Sequence, residues 1–323
     1  MQDLQRLEDF SLEELLSELR QREAAAKSGE AAAAATRGAA PESPLGRFET
    51  PAIARAVVSM QKGIYGVDDR LDLFEVTDAD ALNDADCVVA LFRAARVRDN
   101  GDGTSTLRTR SFGDAQNLCQ GERFREQPVG AFCSGFLVAP NVIATAGHCA
   151  DHGDVTTIRF VFGFRMLNQN AARTVIPNSE IYRGVRIVGR ALADNGSDWA
   201  LVEIDREVTN HRVARVRRSG RIEDGQAVHV IGHPSGLPLK FADGAVVRDN
   251  EPAAFFVANL DTYGGNSGSP VFNSETHEVE GILVRGERDF TSSGDCMISL
   301  VCPTTGCRGE DCTRASEFQE LIP

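Results

Sequence analysis

The sequence predicts an all-β protein folded as two antiparallel β-barrels. Two observations carry this. From Cys87 onward the chain breaks into short β-type apolar runs separated by turns. After about residue 60 no long helical period recurs outside the last few residues. Strand-type runs cover 88–92, 107–110, 133–139, 142–146, 155–163, 181–188, 199–204, 226–231, 244–248, 254–259, 269–273, 279–285 and 297–302, the spacing of an all-β barrel protein. A chain of 323 residues can bury a two-lobed core of this kind.

Taken in order, Ser11-Leu12-Glu13-Glu14 is a capping box, with serine first and glutamate three residues later. Leu12, Leu15, Leu16 and Leu19 then recur at helical spacing. An amphipathic helix over about residues 3 to 25 is expected, within an N-terminal segment 1–28. Its polar face is rich in Glu, so the apolar stripe suits a protein partner better than a membrane. That partner is the rest of the chain, a second copy or another protein. Residues 29–50, Ala-rich with prolines, read as a linker. Residues 51–323 remain for the folded domain, as barrels of about 64–210 and 211–323. The charged run Arg212 to Arg221 interrupts the apolar pattern between them and reads as a solvated crossover.

Asp99-Asn100-Gly101-Asp102-Gly103 is an acidic turn, but its spacing does not match a calcium loop. Asn-Gly and Asp-Gly are hairpin signals in their own right, so no metal is expected. Net charge is −13, which argues against a nucleic-acid groove and against an anionic membrane surface. No 18-residue apolar stretch offers a membrane span. Eight cysteines are consistent with four disulfides and favour an extracytoplasmic compartment. Met1-Gln2-Asp3-Leu4 does not begin a signal peptide, which keeps the cytoplasm open.

The chemistry centres on Gly264-Gly265-Asn266-Ser267-Gly268-Ser269-Pro270. A weak nucleophile needs its target carbonyl within about 3 to 3.5 Å, and small neighbours leave that approach open. Glycine also permits the backbone turns that converge N–H groups on one point. Thr145-Ala146-Gly147-His148-Cys149 follows an apolar run, and Asp198-Trp199-Ala200-Leu201-Val202 puts a carboxylate at the mouth of another. Histidine, aspartate and serine in that order are the parts of a charge-stabilised nucleophile. Ser267 is the expected nucleophile, His148 the general base and then acid, and Asp198 the orienter, with Asp194 and Asp205 as its rivals. His233-Pro234-Ser235-Gly236 is a turn whose histidine reads as structural.

Together the three motifs resemble the chymotrypsin-like (trypsin-like) serine peptidases, and most nearly the bacterial branch that includes the glutamyl endopeptidases. The resemblance covers roughly residues 64 to 320. It implies two six-stranded barrels and a serine endopeptidase acting on protein or peptide, with no cofactor. It implies an oxyanion hole from the N–H groups of Gly265 and Ser267, and substrate pairing along Val284-Arg285-Gly286. It also implies a histidine-loop disulfide between Cys133 and Cys149; the other six cysteines are left open. Ile64-Tyr65-Gly66-Val67 resembles the start of the mature domain, which would make the preceding segment a propeptide cut after Lys62 or Arg55.

Two departures qualify the resemblance. Asn266 stands where animal enzymes carry the aspartate that binds a freshly cut N-terminus. Leu283 stands at the pocket histidine of the glutamyl endopeptidases, so preference for glutamate is not carried over. Asp261, beside Thr262, lies six residues before Ser267, the place of the pocket carboxylate that selects Arg or Lys. Its rival role is to brace the loop. A second functional reading is a latent or regulatory peptidase-fold protein whose N-terminal helix docks a partner.

Overall fold

The computed structural model describes residues 64–150, 154–286, 289–303 and 305–323, with residues 10, 14, 15, 17, 18, 21, 22, 44–46, 48–50 and 53 of the N-terminal segment. Most of the expected helix, most of the linker, and Arg55 and Lys62 lie outside the described residues.

Twelve strands build two barrels. The first uses β1 (Val88–Arg93), β2 (Cys133–Ala139), β3 (Val142–Thr145), β4 (Ile158–Val161), β5 (Ile181–Leu192) and β6 (Asp198–Ile204). It closes in the order β1-β2-β3-β6-β5-β4. The second uses β7 (Ala227–Gly232), β8 (Lys240–Asp249), β9 (Phe255–Ala258), β10 (Pro270–Asn273), β11 (Val279–Arg285) and β12 (Glu310–Arg314). It closes in the same relative order, β7-β8-β9-β12-β11-β10, through the β7–β8 pairing. Closure leaves no open edge in either sheet except where Leu71–Asp72 adds to β8. This is the expected chymotrypsin-like pair of six-stranded antiparallel barrels.

The apolar runs explain the core. All seven residues of β2 and all four of β3 are buried, as strands enclosed on both faces require. Leu201 and Val202 of β6 are fully buried among them, and truncating Leu201 to Ala should cost about 2–5 kcal/mol. The second barrel closes on Val228, Val230, Phe256, Val271 and Leu283.

Three expectations need correction. The run 107–110 is not one strand: Thr104–Leu107 pairs with Val97–Asp99 across the Asn-Gly turn, and Arg110–Ser111 pairs separately with Pro128–Val129. The run 297–302 splits into Cys296–Ser299 and Val301–Cys302, which join different partners. The seven-residue helix Ala79–Ala85, capped by the Asp78 carboxylate at the N–H groups of Asp80 and Ala81, is too short to conflict with the absence of a long helical period. Disulfides number three, not four: Cys119–Cys296, Cys133–Cys149 and Cys302–Cys307. Cys87 and Cys312 remain buried thiols. Among the described residues no helix is long and apolar enough to cross a membrane.

Candidate active site

Strand register brings the histidine and aspartate together. Ala200 of β6 pairs with Thr145 of β3, so the start of one strand lies beside the end of the other. Three residues past Thr145, His148 Nδ1 lies 2.7 Å from Asp198 Oδ2. The backbone N–H of His148 donates to the other carboxylate oxygen at 3.1 Å, so both oxygens grip one residue. Gly147 is needed between them: a Cβ there would lie 2.1 Å from the Ala191 carbonyl. Asp198 is fully buried. Burial by itself would raise its carboxyl, but the charges of His148 and Arg285 and the hydrogen bonds from His148 outweigh it and hold it at about 2.

His148 Nε2, the atom that would take a proton, is buried and has no hydrogen-bond partner among the described residues. Ser267 is also buried, and its Oγ donates to the Val284 carbonyl at 3.5 Å. The Oγ–Nε2 hydrogen bond of an assembled triad is therefore not made here. Sites without substrate often hold this contact long. The Ser267 carbonyl lies 3.6 Å from Cys149 Sγ, one residue from His148.

The loop around Ser267 is held by its backbone. The Ser235 N–H donates to the Gly264 carbonyl. In a trans peptide the next N–H points the opposite way, so this bond turns the Gly265 N–H away from Ser235. The Gly264 N–H in turn donates to Asp289 Oδ2 at 2.8 Å. Gly265 has φ +92° and Gly268 φ +91°, conformations that favour glycine. A Cβ on Gly268 would also meet the Ser134 carbonyl at 2.1 Å.

Sequence reasoning missed Ser134. Its N–H donates to the Ser267 carbonyl at 2.9 Å, its Oγ donates to the Gly265 carbonyl at 3.1 Å, and the same Oγ accepts the His233 N–H at 2.9 Å. The available signal was a hydroxyl inside the apolar run Cys133 to Ala139. Gly232 was missed too: a Cβ there would lie 1.9 Å from Ser269 Oγ. His233 Nδ1 lies 2.9 Å from the Leu237 carbonyl. Burial pushes its imidazole down to about 3, which keeps it neutral.

The remaining predicted residues are placed as follows. Asp261 accepts the N–H groups of Tyr65 at 2.7 Å and Asp69 at 3.2 Å. It thus braces the chain that enters the domain. Thr262 Oγ1 donates to Glu310 Oε2 at 3.3 Å, and the Tyr65 hydroxyl donates to Glu310 Oε1 at 3.3 Å. Glu310 is fully buried, and a Cβ on Gly286 would lie 1.9 Å from its Oε2. Leu283 points into the second barrel core, while Val284 is buried in the core shared with the first barrel. Arg285 Nε donates to Asp311 at 3.2 Å, its Nη2 to the Gly196 carbonyl at 2.7 Å, and Nη1 lies 3.9 Å from Asp198. The Cys133–Cys149 bridge is formed and ties the histidine turn to β2.

Residues 133–282 match the family model of the trypsin-like peptidase domain. The chain carries a trypsin-like peptidase domain. That places it among the serine protease hydrolases. No curated protein matches it. Solved structures similar to it include the VesB protease of Vibrio cholerae, 17% identical over 79% of this chain with a TM-score of 0.47. This chain spans 66% of the length of that protease. A Glu endopeptidase in complex with MPD is 16% identical over 80% of this chain and 97% of its own, with a TM-score of 0.47. Human heparin binding protein is 13% identical over 79% of this chain and 95% of its own, with a TM-score of 0.48.

Proposed function

We propose that the trypsin-like domain is a serine endopeptidase that acylates Ser267. The observation that carries this is the buried 2.7 Å pair of His148 Nδ1 and Asp198, which leaves Nε2 to take a proton. Ser267 Oγ attacks the scissile carbonyl and passes its proton to His148 Nε2. The oxyanion is received by the N–H groups of Gly265 and Ser267. Collapse of the intermediate gives the acyl-enzyme, and His148 returns the proton to the leaving amine. Water, activated by the same histidine, then releases the acyl group. Asp198 fixes the imidazole tautomer and stabilises the imidazolium throughout.

The reading includes a preference for Arg or Lys before the scissile bond, with a different carboxylate from the one six residues before the serine. Asp261 is engaged by Tyr65 and Asp69. Glu310 instead lies against Gly286, at the end of the strand along which a substrate would pair. The test is digestion of a mixed peptide library by the wild type beside Ser267→Ala, read by mass spectrometry. Cuts made by the wild type alone, after Arg and Lys, are expected. Equal cutting by both proteins would overturn the acyl-enzyme.

A further inference from the structure

Beside His148 lies a cavity of about 380 Å³. One wall is His148, Cys149 and Gly265; Val284, Arg285 and Gly286 take no part in it. If the residues before the cut pair with that strand, this cavity lies on the other side of the histidine. It therefore faces the half of the substrate that departs on the amine protonated by His148.

Three arginines line it: Arg93, Arg96 and Arg110. They come from separate places in the chain. Arg93 ends β1, Arg96 sits in the turn after it, and Arg110 pairs with Val129 in a two-stranded ribbon. The Arg93 guanidinium is held over the Phe132 ring at 4.1 Å. Arg96 and Arg110 have no carboxylate partner among the described residues. The carboxylate that lines the cavity, Asp289, already accepts the Gly264 N–H. In a chain of net charge −13, the exposed guanidiniums of Arg96 and Arg110 make the mouth of this cavity locally positive. An anionic ligand complements that charge.

Resting on the serine endopeptidase reading, we propose that this cavity is a subsite for acidic residues immediately after the scissile bond. The ligand is the Asp- or Glu-rich start of the leaving segment. Guanidinium suits it because the planar fork meets a carboxylate with two parallel hydrogen bonds.

The test uses quenched fluorescent peptides identical before the cut and carrying Asp-Glu-Asp, Ala-Ala-Ala or Lys-Arg-Lys after it. The wild type should cleave the acidic peptide with a kcat/KM about tenfold above the neutral one, the scale of two or three partly screened ion pairs. The advantage should shrink as salt rises. The double variant Arg96→Glu/Arg110→Glu, with its Tm checked, should erase the preference. Equal cleavage of acidic and neutral peptides by the wild type, or a preference that survives the double variant, would overturn the subsite. Binding of the same peptides to Ser267→Ala, read by anisotropy, separates this from failure of the peptidase reading. Tighter binding of the acidic peptide keeps the subsite even if no peptide is cut; equal binding removes it.

Discussion

Ser134 grips the nucleophile loop at two points: its Oγ reaches the Gly265 carbonyl and its N–H the Ser267 carbonyl. The first barrel thereby sets the backbone of the second where charge would develop. Ser134→Ala keeps the N–H bond but leaves the buried Gly265 carbonyl and His233 N–H without the hydroxyl, a loss of about 1–3 kcal/mol. We expect kcat to fall about tenfold with KM little changed. A lowered Tm with unaltered kcat would reduce Ser134 to a structural brace.

Asp198→Asn tests the orienter. The amide can still accept one hydrogen bond, so the fold should persist. The wrong histidine tautomer should lower kcat by about 10⁴. A fall of less than tenfold in steady-state hydrolysis would take Asp198 out of the chemistry. Because the Asp198 carboxyl is held at about 2, its protonation cannot produce an acid limb near neutral pH. That limb in kcat/KM should follow a single group in both wild type and Arg285→Lys.

The barrels and three motifs were legible because their residues act locally. Apolar runs mark β2, β3 and β6, and His148, Asp198 and Ser267 each sit at the end or start of such a run. The strand Glu310–Arg314 was not legible. Its five residues, Glu-Asp-Cys-Thr-Arg, are all buried yet show no apolar pattern. They are tolerated because partners far along the chain satisfy them, such as Arg285 for Asp311 and Asn250 for Arg314. Missing that strand left the buried Glu310 unnoticed, while the family resemblance drew attention to Asp261. The arginine-lined cavity was equally hidden, since its three cations become neighbours only after β1 and the ribbon fold.

The Asp261 brace should respond to pH. Burial, then the neighbouring Asp261 charge, raise the Asp69 carboxyl from 3.8 to about 7. A raised folded-state value means the stabilising form is protonated. Its contribution is complete below about 4 and is lost as pH rises through about 7. Tm should therefore decline between pH 5 and 8 more steeply in wild type than in Asp69→Asn, which cannot ionise. Parallel Tm profiles for the two proteins would show that the Asp69 carboxyl does not keep its proton in the folded state.

Glu310→Gln decides which carboxylate reads the substrate. The amide has nearly the same shape and can still accept from Tyr65 and Thr262, so folding should be retained. A basic side chain entering the pocket would lose its charge partner. Breaking such a buried pair costs about 3–5 kcal/mol, or more than 10² in rate. The ratio of cleavage after Arg to cleavage after Ala should then fall by at least about 100-fold. Asp261→Asn should instead lower Tm, because it weakens the acceptor for Tyr65 and Asp69, and should leave that ratio near its wild-type value. The opposite pattern, with the ratio lost in Asp261→Asn and kept in Glu310→Gln, would return the pocket to Asp261 and make Glu310 a packing residue behind Gly286.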